Sequence, residues 1–172
     1  GDDARAVADA VDEEPQSVFD GGLLAAETTA YATPVLDAIA DDLLAGASDG
    51  RLCYTTPGPL VDATVSTETH RETVEAVLAD RGLEVTPIST GFAVIYDQLA
   101  GDNYTGLGIT IGARTTNATL AYYGVPAMTC SLAKGREWLV ERAAAETGHA
   151  PAQVAGVLEE VTLDPDAAAG GL

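Results

Sequence analysis

Apolar residues recur at two different periods along this chain, and the places where the period changes mark out its elements. Positions 2 to 11 set Ala6, Val7, Ala10 and Val11 on one side and acids on the other, a short helix. Val18-Phe19-Asp20-Gly21-Gly22-Leu23-Leu24 reads as a turn between apolar residues. Thr33 caps a helix whose first residue is Pro34, and Val35, Leu36, Ile39 and Leu43 carry it at helical spacing to a stop near Gly46. Arg51 to Thr56 alternates as a strand and is ended by Pro57-Gly58-Pro59. Thr69 and Glu72 stand at capping-box spacing ahead of Val74, Val77 and Leu78, the expected buried face of a helix closed by Gly82. Glu84 to Ile88 is another short strand, and Phe92, Ile95, Tyr96 and Leu99 fall at helical spacing after Ser89-Thr90-Gly91.

From Asp102 to Lys134 the period is two throughout. Leu107, Ile109 and Ile111 alternate with Gly108, Thr110 and Gly112; Gly112 to Thr116 is a turn; Ala118, Leu120 and Tyr122 alternate again. Gly124-Val125-Pro126 turns the chain once more, and Met128, Cys130 and Leu132 form a third strand. A three-strand meander results, and its first turn is rich in small residues whose backbone N–H groups can converge on an anion. Beyond it, Glu137 to Thr147 is a helix with Trp138 and Leu139 inward and Gly148 as its stop. Pro151 to Glu160, with Val154, Val157 and Leu158, is another, and Asp164 to Leu172 is a patternless tail. Alternating strands and helices followed by a meander predict the α/β class, mixed sheets covered by helices.

Charge narrows the possible partners. The 172 residues hold 27 acids against 8 bases, a formal charge of -19. A surface so acidic repels phosphodiester backbones and anionic lipid, which argues against nucleic acid and direct membrane insertion. With 47% hydrophobic residues, disorder driven by charge is a poor fit. The composition instead suits a cytoplasmic protein adapted to molar salt, where screening over a few ångströms removes most self-repulsion. Cys53 and Cys130 lie in separate strands without metal-ligand spacing and are expected to be buried, reduced thiols, so no metal site is predicted. The charge-free run from Thr115 to Ala133 has strand rather than membrane-helix spacing. His70 and His149 have no cysteine or serine at informative spacing and are expected at the surface, and Ser131 lacks the elbow of a hydrolase nucleophile.

The meander resembles the second phosphate loop of the actin-like ATPase superfamily, where a strand runs into Asp-x-Gly-x-Gly-Thr-Thr-Asp or Asn. Laid on this chain, the pattern falls on Thr110, Gly112, Arg114, Thr115, Thr116 and Asn117. The similarity extends to MreB-like and archaeal actin-like members over most of the chain: Gly1-Asp2-Asp3, the Phe19-Asp20-Gly21-Gly22 turn, the strand to Pro57, the helices from Thr69 and Phe92, and the helix carrying Trp138. It implies an incomplete ribonuclease-H-like actin ATPase fold. Residues 1–100 would be the end of the first actin-like half plus the connecting helix, 101–163 the start of the second half, and 164–172 a frayed tail.

The same resemblance places the phosphate contacts, if retained, at Gly112, Ala113, Arg114, Thr115, Thr116 and Asn117. It also places the two catalytic carboxylates of the family at Thr90 and Thr110, where this chain has hydroxyls. Holding a metal ion and orienting a water calls for charged or strongly accepting oxygens, which threonine supplies poorly. Arg114 stands where the family has glycine, and fills the space of a phosphate or pairs with one. Asp97 and Asp102 are the nearest alternative acids and read as solvated surface. The expectation is a degenerate actin-like module with a cytoskeletal or scaffolding role, self-associating or joining other actin-like subunits, with no catalytic residue and no cofactor. The alternative is an ATPase that binds Mg-ATP with segments supplied by another chain or lying outside this sequence.

Overall fold

In the computed structural model, which describes residues 18–24, 27, 29–46 and 49–160, one helix ties two sheets together. The described chain begins with a hairpin, β1 (Phe19–Asp20) and β2 (Leu23–Leu24), turned by Gly21 and Gly22 at φ 54° and 83°, the left-handed region that glycine enters without strain. Helix α1 (Thr29–Leu44) leads to β3 (Arg51–Thr56), α2 (Thr67–Ala79) leads to β4 (Glu84–Ser89), and β3 and β4 pair in parallel from Arg51↔Glu84 to Thr56↔Ser89. Helix α3 (Thr90–Gln98) follows β4 without a loop, because the Ser89 hydroxyl accepts the Phe92 N–H at 3.3 Å and caps it. A single 3₁₀ turn then opens the meander of β5 (Gly106–Ile111), β6 (Thr116–Tyr122) and β7 (Val125–Leu132), which is antiparallel throughout. Helices α4 (Arg136–Thr147) and α5 (Pro151–Glu160) close the described chain and pack on each other. The mixed α/β class is as the pattern predicts.

Helix α3 lies across β5 and β6 and also touches β3 and β4, so the core sits beneath it, with Ile95 fully buried. The contact is close because two glycines face each other. A Cβ on Gly91 would stand 2.9 Å from the Gly108 carbonyl oxygen and the Thr119 nitrogen, and one on Gly108 would overlap the Gly91 carbonyl oxygen. The inward face of the meander is therefore small and polar: Gly108, Asn117, Thr119, Ala121 and Ser131 are buried. The face carrying Leu107, Ile109, Ile111, Leu120 and Met128 is the exposed one.

Several local expectations are corrected. Helix α1 starts at Thr29, ahead of Pro34. The proline costs one intrahelical hydrogen bond, which the alanine-rich turn before it and the buried Ala32 offset. Helix α2 starts at Thr67 with Ser66 as its cap, its hydroxyl accepting the Glu68 N–H at 3.2 Å, and Thr69 is already helical. Of its expected buried face, Val77 is buried and Val74 and Leu78 are half-buried. Thr116 belongs to β6 rather than to the turn before it, and Tyr123-Gly124, not Gly124-Val125-Pro126, joins β6 to β7.

Trp138 and Leu139 are exposed, and Val140 and Ala144 are the residues α4 turns inward. Cys53 is exposed beside Arg51 and Thr55, since the alternation in β3 turns Leu52 and Tyr54 to the partly covered face; Cys130 is half-buried. The predicted helix over 2–11 and the tail from Asp164 lie outside the described residues. Among the described residues no helix is long and apolar enough to cross a membrane.

Candidate functional site

Where the C-terminal ends of β3 and β4 meet the start of α3 and the inner face of the meander, the chain gathers hydroxyl and amide side chains. Thr119 is fully buried, its Oγ1 3.0 Å from Ser89 Oγ and 3.2 Å from Thr129 Oγ1. Ser131, also buried, donates from Oγ to Asn117 Oδ1 at 2.7 Å, and Asn117 Nδ2 donates to Thr110 Oγ1 at 3.2 Å. Thr90 donates from Oγ1 to the Thr56 carbonyl at 3.2 Å, and the buried Thr56 hydroxyl has no hydrogen-bond partner among the described residues. These groups are neutral and acidic or basic side chains are absent from the bonds that join them, so the junction is a hydrogen-bonded seam between the sheets.

The predicted phosphate loop is a turn between antiparallel strands. Several of its polar groups are already engaged. The Gly112 N–H donates to the Thr115 carbonyl at 2.8 Å, while the carbonyls of Gly112 and Ala113 accept the N–H groups of Arg136 and Glu137, each at 2.9 Å. Those are orphan donors at the start of α4, whose cap, Gly135, has no side chain to serve them. Gly135 is required there, because a Cβ would fall 2.5 Å from the Gly112 oxygen and 2.6 Å from the Ala113 oxygen. Thr116 donates to the Lys134 carbonyl at 2.7 Å. Arg114 pairs through Nε with Glu137 at 3.0 Å and reaches toward the Phe19 carbonyl at 3.5 Å. Gly22 of the hairpin lies against Thr115 and Arg114, so the turn is held between the hairpin and α4.

The six loop residues and Thr110 are thus brought onto one end of the meander, and Thr90 stands at the start of α3 against Thr56. A cavity of about 400 Å³ opens beside the seam, lined by Thr56, Gly58, Arg71, Ser89, Phe92 and Thr129 among others, but by neither Thr90 nor Thr110 nor the loop. Asp97 and Asp102 are exposed. Among the described residues no group of three or more His, Cys, Asp or Glu side chains is placed to hold a metal ion. Sequence reading passed over Ser89, Thr119 and Thr129; the only signal for the last two was small polar residues at alternate positions in β6 and β7.

His70 corrects the expectation of a surface histidine. It lies within α2, half-buried, and its Nδ1 accepts the Leu24 N–H at 3.2 Å, fastening the hairpin to the helix. Burial pushes its pKa below the ordinary 6.5. His149 is exposed, in the loop before α5. The Tyr54 hydroxyl, half-buried and donating to Glu75 Oε1 at 3.1 Å, is pushed up from its ordinary value by partial burial first and by that bond second.

Because the folded state disfavours protonated His70, the unfolded chain binds more protons between the lowered value and 6.5, and stability falls as pH drops through that window. Full stability from this residue is present above pH 6.5. His70→Asn, whose Oδ1 can accept the same N–H without titrating, is expected to remove that slope in pH-resolved urea unfolding. An unchanged slope would show that the bond does not govern it.

Two parallel strands each followed by a helix, the second helix spanning onto an antiparallel meander, define an actin-like ATPase fold. Solved structures share it. The ethanolamine utilization protein EutJ from Carboxydothermus hydrogenoformans superposes with a TM-score of 0.51 at 19% identity, over 84% of this chain and 50% of its own. MreB5 of Spiroplasma citri, solved bound to ADP, superposes with a TM-score of 0.52 at 16% identity, over 84% of this chain and 45% of its own. The chain therefore spans about half the length of either structure. A search of curated proteins finds no match. The Volactin family model matches residues 1–172, and the chain belongs to the Volactin family.

Proposed function

We propose that the chain is an actin-like interaction module with a cytoskeletal or scaffolding role, which keeps the frame of a nucleotide-clamping fold without hydrolysing ATP. The observation that carries this reading is the engagement of Thr90 and Thr110. At the two positions the superfamily resemblance assigns to carboxylates, Thr90 bonds the Thr56 carbonyl and Thr110 accepts from Asn117. Neither hydroxyl supplies the charged ligand or the water acceptor that phosphoryl transfer by positioning requires. These residues do not fit a hydrolytic magnesium site. Its expected milieu is a high-salt cytoplasm, and its expected partners are copies of itself or other actin-like subunits.

The alternative, ATP binding completed by segments from another chain or outside this sequence, draws support from the extent of the matched structures, of which the chain spans about half. Thermal unfolding in molar potassium chloride with and without Mg-ATP separates the two. Ligand at a hundred times its dissociation constant adds about 2.7 kcal/mol, and the module reading expects no shift and no release of inorganic phosphate. Magnesium-dependent release that is lost in Gly112→Val would overturn it. Light scattering across protein concentration tests self-association, and a monomer throughout counts against the assembly role.

A further inference from the structure

The β1–β2 hairpin stands between α2 and the second sheet and touches both. On one side His70 Nδ1 accepts the Leu24 N–H at 3.2 Å, and Leu23 and Leu24 are fully buried. On the other, a Cβ on Gly22 would fall 2.6 Å from Thr115 Cγ2 and 3.0 Å from Arg114 Cβ, and one on Gly21 would stand 3.4 Å from Ala133 Cβ. Arg114 Nη1 reaches back toward the Phe19 carbonyl. The hairpin thus joins a helix of the first sheet to the turn before β6 and the residue after β7. Two residues on each strand are too few for a hairpin to stand alone, so its place depends on what it packs against.

An imidazole nitrogen accepts a hydrogen bond only while it carries no proton. With Nδ1 accepting, the neutral ring holds its hydrogen on Nε2, and a proton taken up from solvent goes to Nδ1. The acceptor then becomes a donor aimed at a donor, and the bond to Leu24 is lost. We propose that His70 is a pH-sensitive latch: a proton on Nδ1 releases the hairpin from α2, and the released hairpin loosens the turn from Gly112 to Thr115 and the start of α4. The last link is direct, because the carbonyls of Gly112 and Ala113 hold the N–H groups of Arg136 and Glu137.

The charges around the ring favour the neutral form only weakly or oppose it. On α2 the positions three and four residues from His70 are Ser66, Thr67, Thr73 and Val74, none of them charged. Its neighbour Arg71 pairs with Glu68 and Glu75, and Glu75 also accepts from Tyr54 of β3. On the hairpin side Asp20 and Glu27 line a cavity of about 250 Å³ with Leu24, Ser66 and Thr69, and their charge, screened by salt, favours the imidazolium. On α1, Asp37 and Asp41 pair with Arg81 past the other end of α2, while Asp42 and, on β4, Glu84 are exposed. Burial opposes the imidazolium and sets the direction.

The slope of global stability with pH needs His70 alone; the latch requires the turn to open with it. The test is amide exchange by NMR in about 1 M potassium chloride from about pH 7.5 to about pH 5, corrected for the intrinsic pH dependence, with the His70 ring titrated in the same samples. Exchange at Leu24, Gly112, Arg136 and Glu137 is expected to rise about tenfold or more with the midpoint of the ring, while amides paired between β3 and β4 stay protected. His70→Asn is expected to keep Leu24 protected and to flatten the response at all four amides, and His149→Asn, at an exposed histidine, to leave it intact. If His70→Asn does not fold, agreement between the ring and amide midpoints in the parent decides. Leu24 protected throughout the ring's titration would overturn the latch. So would opening at Leu24 that leaves Gly112, Arg136 and Glu137 unchanged, since the hairpin would then transmit nothing. Loss of protection in β3 and β4 at the same midpoint, which is global unfolding, or a response that survives in His70→Asn, would overturn it as well.

Discussion

Gly108→Ala is expected to lower the stability of the chain by about 3 kcal/mol or more, the upper range for forcing extra volume into a packed interior. The added methyl would meet the Gly91 carbonyl oxygen and would also fall 2.9 Å from Ile95 Cγ1. The carbonyl is backbone within α3, so relief requires moving the whole helix away from β5 and β6, and with it the cover over Ile95. For a chain of this length the loss corresponds to a Tm lower by roughly 6 to 12 °C. Gly91→Ala should act in the same direction, because its methyl meets backbone and side chain of Gly108 and Thr119 at 2.9 Å. Gly156→Ala is the control. It lies within α5 with nothing within 4 Å, and it should raise stability by up to about 1 kcal/mol through helix propensity. Thermal and urea unfolding of the three variants decides the matter; a Gly108→Ala protein as stable as the parent would mean that α3 does not cross the sheet in this contact.

Asn117→Ala is expected to be the second most damaging change, at about 2 to 4 kcal/mol, because it strips hydrogen-bond partners from buried groups and leaves a small cavity. Ser131, 1% exposed, would lose the 2.7 Å acceptor of its Oγ, and Thr110 Oγ1 its 3.2 Å donor. Asn117→Asp makes the test sharper because it conserves shape. A carboxyl at this buried position, with no basic group bonded to it, has its pKa raised by desolvation above the ordinary carboxylate value. Relative to the parent at each pH, the Asp variant should be near parity around pH 4, where the neutral carboxyl can donate to Thr110 and accept from Ser131. It should lose stability progressively as pH rises and the charge must be buried. A variant whose deficit does not change with pH would show that the side chain is hydrated, and the seam would then not be sealed.

That seam bears on the proposed role. A site built to clamp a nucleotide leaves acceptors and donors facing the ligand, whereas here Thr90 bonds the Thr56 carbonyl, Thr110 and Ser131 bond Asn117, and the carbonyls of Gly112 and Ala113 bond the start of α4. Such a network favours a single rigid arrangement of the two sheets. Rigidity of that kind suits a module that presents surfaces to partners.

Much of the fold was written in local pattern. The period of two through Leu107, Ile109 and Ile111, the glycine-bearing turns, the stops at Gly82 and Gly148 and the extent of β3 and β4 follow from strand geometry and glycine's access to positive φ, which depend on a few neighbouring residues. The same locality makes the resemblance of the loop from Gly112 to Asn117 legible in the sequence. Helix starts are set by competing caps. Ser66 and Thr69 are both good caps, and propensity does not say which hydroxyl meets a backbone N–H.

What only the tertiary structure decided was which side of each pattern faces inward. Alternation in β5 to β7 names two faces, and the apolar one would be the natural interior; yet Gly91 and Gly108 let α3 approach the other, and Asn117, Thr119 and Ser131 became the core. His70 was turned from surface to anchor by the Leu24 N–H, 46 positions away, and on α4 it is Val140 and Ala144, not Trp138, that pack inward. Sequence determines elements because backbone dihedrals answer to near neighbours. Burial and hydrogen-bond partners answer to residues brought close only by folding, and in this chain those contacts set the polar seam that carries the proposed function.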